Sequence, residues 1–166
     1  WQEGLGYYSY MMRMSVMFMD ALKRTTGGTY NLFLHKKIKG HPFDFFLFGL
    51  TANFEDSGGG PLGPTYMVNK LVEETGNRAG AWYRNTFLRD GDVVYDILWP
   101  RSSVAPVKPD QPSKLFRSID WAMMRSDFLD PSTVTVACKA GLNDDPHHGH
   151  LDCGHFIVTW HDVAFI

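Results

Sequence analysis

Between residues 100 and 112 the pattern of the chain changes, and that change limits the possible folds more than any other feature. Pro100, Pro106, Pro109 and Pro112 fall in a stretch with little apolar periodicity. Proline removes a backbone donor and biases its predecessor towards extended backbone, so the stretch reads as a linker or a crossover between domains. Before it, apolar residues recur at helical spacing. After it come short runs rich in β-branched and aromatic residues, bounded by turn residues. Helices first and strands afterwards predict an α+β protein, with a helical part over 1–99, a linker over 100–113 and antiparallel strands over 114–166.

Residues 7–24 set the character of the helical part. Wound at 3.6 residues per turn, Ser9, Arg13, Asp20 and Arg24 share a narrow sector and nearly everything else is apolar. This predicts a helix buried on most sides, as in the inner layer of a helical array. A membrane span is the rival reading, and the buried helix is preferred because the clean run is too short and Arg13 and Asp20 interrupt it. Thr25-Thr26-Gly27-Gly28 ends the helix, and Thr29 is placed to cap a second one through about Lys39. His35-Lys36-Lys37 and Lys39 form a basic knot, read as a solvated helix end. Residues 43–50 are a greasy core helix, and 54–61 an irregular loop. Gly63-Pro64-Thr65 opens a helix with Met67, Leu71 and Val72 on one face. Residues 79–88 are helical, Asp90-Gly91 turns, and 93–99 fits a strand or a short helix. Beyond the linker, 114–120, 121–128, 133–139, 155–160 and 163–166 are the expected strands.

The totals exclude some functions. At 166 residues the chain can bury a real core, and 44% apolar with 20% charged residues is ordinary for a soluble globular protein. A formal charge of −2 argues against a general nucleic-acid binder. The aromatic share of 14% fits carbohydrate handling, and fits a large aromatic core better. Two cysteines, Cys138 and Cys153, support no disulfide framework. The opening Trp1-Gln2-Glu3-Gly4 carries no secretory signal, and the last residues fall inside an apolar strand. Both ends therefore read as cut from a longer protein.

Chemistry concentrates in one loop. Asp145-Pro146-His147-His148-Gly149-His150-Leu151-Asp152-Cys153-Gly154-His155 holds four of the seven histidines and leads into the apolar run Phe156-Ile157-Val158-Thr159-Trp160. On extended backbone His148, His150 and Asp152 alternate onto one side. Neutral imidazoles with one carboxylate suit zinc. Asp152 can instead fix the loop by accepting hydrogen bonds. His-x-His-x-Asp is also the core of metallo-β-lactamase-type hydrolases, but these want His where Cys153 stands, and a helix where a strand follows.

The stretch from His148 to Phe156 resembles the His-x-His-x-Asp-x-Gly-Ser-Phe box of the heparinase II/III-like polysaccharide lyases, with His155 in place of Ser. Glu3-Gly4-Leu5-Gly6-Tyr7-Tyr8-Ser9-Tyr10 is similar to the Glu-Gly-x-x-Tyr-x-x-Tyr motif of that family. Phe54-Glu55-Asp56-Ser57 resembles its Phe-Gly-Asp-Ser loop, and Met124-Arg125-Ser126 its Met-Arg-Ser strand. The four motifs occur in the family's order across nearly the whole chain. The resemblance implies the end of an α/α toroid followed by the start of an antiparallel β-sandwich, in a secreted or periplasmic enzyme. It implies β-elimination next to a uronate in an acidic polysaccharide, with Tyr7 and His148 catalytic and His150 a zinc ligand. Glu3, Tyr10 and His147 would bind substrate, with Tyr10 the fallback for Tyr7. Further zinc ligands would follow Ile166, and a group meeting the uronate would precede Trp1, so this stretch alone is expected to be inactive. Other activities on such a scaffold are a uronate C5-epimerase or a non-catalytic glycan binder, with a metallo-hydrolase last.

Overall fold

In the computed structural model the described residues are 4–40, 43–48, 54, 58, 63–91, 93–129, 132–141, 150–161 and 163–165, with backbone alone at 45, 48 and 93. Among the described residues six α-helices precede five strands: α1 (Gly4–Thr25), α2 (Lys36–Lys39), α3 (Asp44–Phe48), α4 (Thr65–Thr75), α5 (Arg78–Phe87), α6 (Val93–Leu98), then β1 (Ser113–Phe116), β2 (Trp121–Arg125), β3 (Val134–Lys139), β4 (Phe156–Trp160) and β5 (Val163–Ala164). The fold class is α+β, as the change of pattern at the prolines predicts. The strands form one antiparallel sheet in sequence order. No helix among the described residues is long and apolar enough to cross a membrane.

By contacts the chain divides into two units, and neither is continuous in sequence. The first comprises Trp1–Tyr8, Asp44–Gly60 and Asp110–Ile166, and the second Ser9–Phe43 and Pro61–Pro109. The start of α1 and all of α3 therefore group with the sheet, although their sequence lies within the stretch of helices.

Local chemistry explains the helical unit. Pro64 precedes the first turn of α4, and Gly76 ends that helix in a left-handed conformation at φ 65°. Asn77 caps α5 by accepting from Gly80 N at 2.7 Å. The helix expected from Thr29 to Lys39 does not form as one piece. Asn31 instead caps a single 3₁₀ turn at Leu32–Leu34, whose Phe33 is buried, and His35 Nδ1 then accepts from Lys37 N to start α2. These local side-chain bonds compete with continuous helix and break it at His35. Residues 93–99, open between strand and helix, give α6 followed by the buried Trp99.

The polar sector expected on α1 is corrected by the structure. Asp20 is 5% exposed, whereas Tyr10 and Phe18 are 61% exposed and lie with Met14 on one stripe at four-residue spacing. Asp20 is tolerated inside because it is paired. Lys70 Nζ lies 2.7 Å from Oδ1, Arg24 Nε lies 2.9 Å from Oδ2, and the Trp99 indole donates to Oδ2 at 3.0 Å. Lys70 also reaches Glu74, which Lys23 approaches at 2.6 Å. Burial alone would raise the Asp20 carboxyl, but Lys70, Trp99 and Arg24 outweigh it and hold it below its ordinary value.

One glycine in α5 is required by packing. A Cβ at Gly80 would stand 2.3 Å from the ring of the buried Phe43. Gly→Ala inside a helix usually stabilises by about 1 kcal/mol. Here Gly80→Ala should instead destabilise the chain by about 1–3 kcal/mol through overpacking. Urea denaturation checks the sign, and a raised midpoint in the variant would contradict this close approach.

Candidate functional site

The sheet has two different faces because side chains alternate along each strand. Trp121 and Met123 of β2, Thr135, Ala137 and Lys139 of β3, and Ile157 and Thr159 of β4 are buried on one face. Register aligns Trp121 with Lys139, and Met123 with Ala137 and Ile157. The other face carries Met124, Val134, Phe156 and Trp160, each more than 40% exposed. A lysine at the end of the buried row is the unexpected member.

Lys139 is 5% exposed and needs an anion. Its Nζ ion-pairs with Asp152 and donates to the backbone oxygen of His150 at 3.2 Å. The Asp152 carboxylate also lies 3.3 Å from His155 Nδ1. Main-chain bonds close the same corner. Lys139 N donates to His155 O at 2.8 Å, Gly154 N donates to Lys139 O at 2.8 Å, and His155 N donates to Asp152 O at 2.9 Å. Gly154 permits this turn with φ 90°, a conformation that side-chain-bearing residues rarely adopt. The foot of the histidine loop is thus pinned to the end of β3, immediately before β4.

Aromatic packing completes the floor. Phe54, 1% exposed, sets its ring edge-on to Trp121 at 5.1 Å and to His155 at 5.4 Å. Within the same unit, Lys114 of β1 bridges Asp44 of α3 at 2.7 Å, and Phe46 of α3 packs on Tyr8 of α1 at 5.1 Å. Through these contacts the first turns of α1, α3 and the sheet form one packed body. Burial first, and the charge of Asp44 second, push the Tyr8 phenol well above its ordinary value. Tyr8 therefore stays protonated and is unsuited to act as a base.

Among the residues singled out by sequence, Tyr7 is half-buried on α1, one position from Tyr8 and in the same unit as the histidine loop. Tyr10 is exposed rather than packed in the helix, and its position belongs to the other unit. His150 is exposed at the loop's foot. Glu3, His147 and His148 lie outside the described residues. Cys138 and Cys153 are both free thiols, with Cys153 Sγ donating to Gly141 O at 3.1 Å.

The described residues do not assemble a zinc site. No three His, Cys, Asp or Glu side chains among them converge, and the one carboxylate of the box is held by Lys139 and His155. Asp152 therefore fixes the loop, the second of its two possible roles, with a lysine as its main partner. Lys139, Phe54 and Trp121 were missed as site residues. Lys139 was detectable, since a lysine in phase with Thr135 and Ala137 must point to the same face as they do. The chain matches no protein-family model, and no curated protein matches it.

Removing the Lys139 charge should be costly. Lys139→Met should destabilise the chain by about 2 kcal/mol, less than the roughly 3–5 of a fully buried pair because the Asp152 side chain is 28% exposed. Burial would raise the Asp152 carboxyl, but Lys139 and then His155 outweigh it and hold it low. A lowered folded pKa contributes stability above the ordinary value of 3.8, and that stability is lost as pH falls through the folded value. Denaturant midpoints against pH should therefore drop more steeply on the acid side for the native chain than for Asp152→Asn. Parallel acid limbs would remove this role for the pair.

Proposed function

We propose that the chain is part of a heparinase II/III-like polysaccharide lyase, cleaving an acidic, uronate-containing polysaccharide by β-elimination. The observation that carries this reading is the convergence of its motif segments. Tyr7, Phe54, the Met124-Arg125-Ser126 segment and the His150–His155 end of the box come from four separate stretches of sequence and fall in one unit. Phe54 of one motif touches His155 of another directly. Four sequence resemblances could arise separately by chance; that their described residues fall in one unit supports a shared purpose.

The reaction must remove a weakly acidic C5 proton beside a carboxylate and expel the glycosidic oxygen at C4. On this reading Tyr7 gives the leaving oxygen its proton, and Tyr7 or His148 takes the C5 proton. Glu3 and His147 would contact the sugar. The Lys139–Asp152 pair keeps the loop's foot in place, so the imidazoles it carries need less ordering when substrate binds. His150 is the one zinc donor assigned on the resemblance, and no step here depends on the metal.

The architecture belongs to the same proposal. The apolar outer face of the sheet, with Met124, Val134, Phe156 and Trp160, is what one layer of a β-sandwich offers to a second. The helical unit would be the closing part of an α/α toroid, and the protein secreted or periplasmic. The metallo-hydrolase reading loses ground because Lys139 and His155 already occupy the carboxylate it would need.

The test is ultraviolet absorbance of the conjugated unsaturated uronate, followed with the full-length protein on a panel of acidic glycans. Tyr7→Phe and His148→Ala should each lower the rate by about 10²–10⁴-fold while the protein stays folded. Exchange of the C5 proton without absorbance would mean an epimerase. Binding with neither signal would leave a glycan-binding protein.

A further inference from the structure

We propose that residues 30–39 of the helical unit form a docking segment for an anionic phospholipid surface. The segment joins the basic knot of His35, Lys36, Lys37 and Lys39 to the 3₁₀ turn that precedes it. It uses none of the residues assigned to the lyase reading and does not rest on that reading.

The turn presents apolar side chains to solvent. Tyr30 is 61%, Leu32 39% and Leu34 57% exposed, whereas Phe33 between the leucines is 0% exposed. Successive residues of a 3₁₀ turn point about 120° apart. With Phe33 directed into the unit, its two neighbours are therefore both directed away from it. Hydrogen bonds hold this arrangement. Asn31 Oδ1 accepts from Phe33 N at 3.1 Å, His35 N donates to Leu32 O at 3.0 Å, and Tyr30 N donates to Thr26 Oγ1 at 3.2 Å. From α4, Lys70 Nζ lies 5.7 Å from the centre of the Phe33 ring. The leucines thus stand on an ordered turn, and docking would require little further ordering of backbone.

The flanking charge is of one sign. From Thr25 to Gly40 the sequence contains no acid, and His35, Lys36, Lys37 and Lys39 are all exposed. Lys23 and Arg24, just before this stretch, are already paired with Glu74 and Asp20. Among the described residues no carboxylate pairs with Lys36, Lys37 or Lys39. In a chain of net charge −2 this leaves a local positive excess beside exposed leucines. The combination selects the partner. Lysine is depleted in protein–protein interfaces. An acidic glycan or a nucleic acid would engage the lysines and leave both leucines in water. An anionic bilayer takes both, because leucine and tyrosine enter the headgroup boundary while the ammonium groups stay among the phosphates.

The test is sedimentation of the full-length protein with phosphatidylcholine vesicles, made with and without phosphatidylglycerol. Binding to the vesicles that contain phosphatidylglycerol, and to those alone, is expected, and it should weaken as salt is raised. Lys36→Gln, Lys37→Gln and Lys39→Gln combined should lower the affinity by about 100-fold. Leu32→Ala combined with Leu34→Ala should lower it by about 10-fold. Both variants change exposed or half-exposed positions, and circular dichroism should show the native fold. Arg13→Gln, Arg89→Gln and Arg117→Gln together remove the same charge from exposed positions outside the segment and should leave the affinity largely unchanged. No binding to either vesicle, or equal binding to both, would overturn the docking role. So would full affinity in either segment variant, or an equal loss in the arginine control. Saturable binding of soluble heparin without vesicle binding would assign the lysines to a glycan and overturn it too.

Discussion

The ion pair between Lys139 and Asp152 is the contact on which the candidate site depends. A lysine at the buried end of β3 cannot stay charged there without an anion, and Asp152 supplies it from the far side of the loop. The pairing therefore dictates where the loop returns. Once Asp152 sits over Lys139, the backbone of residues 154 and 155 falls into ladder position beside β3 and β4 can start. Without that charge the position would favour an apolar side chain, and the loop would lose its anchor. Electrostatics here sets the geometry of a connection more than it adds stability.

The helical unit solves a similar problem in the same way. Lys70 of α4 lies between Asp20 of α1 and Glu74 of its own helix, with Lys23 closing the far side. Burial would lower the Lys70 pKa, yet its two carboxylates outweigh burial and raise it. In both units one lysine ties residues distant in sequence. Charges buried in this way favour one arrangement over near alternatives, since any slip leaves an ion unpaired.

These pairs also mark how far the fold could be read from sequence. The α+β class, the Pro64–Gly76 helix and the five strands were legible because periodicity and turn chemistry are local. The face of α1 was not. Winding Asp20 with Ser9, Arg13 and Arg24 assumes that polar residues face water, and Asp20 faces Lys70 instead. The break at His35 was hidden for a similar reason, since a ring nitrogen acting as a cap is decided by a few local hydrogen bonds. At the site, the box and Tyr7 were visible as motifs. The role of Asp152 stayed open because its partner stands 13 residues earlier, on another element.

The two-unit division bears on the proposed function. In sequence order, Tyr7 and Phe54 lie among helices and His155 among strands, which invites the expectation of a helical part working against a β part. Contacts instead group the start of α1, α3 and the loop at Phe54 with the sheet. The connecting contacts run from Lys114 to Asp44, from Phe46 to Tyr8, and from Phe54 to both Trp121 and His155. A group on the first turns of α1 is therefore held by the same packing that holds the foot of the histidine loop. The acid–base chemistry proposed above would need its groups kept in register to within a fraction of an ångström. Groups fixed to one packed body meet that demand without relying on the position of a second.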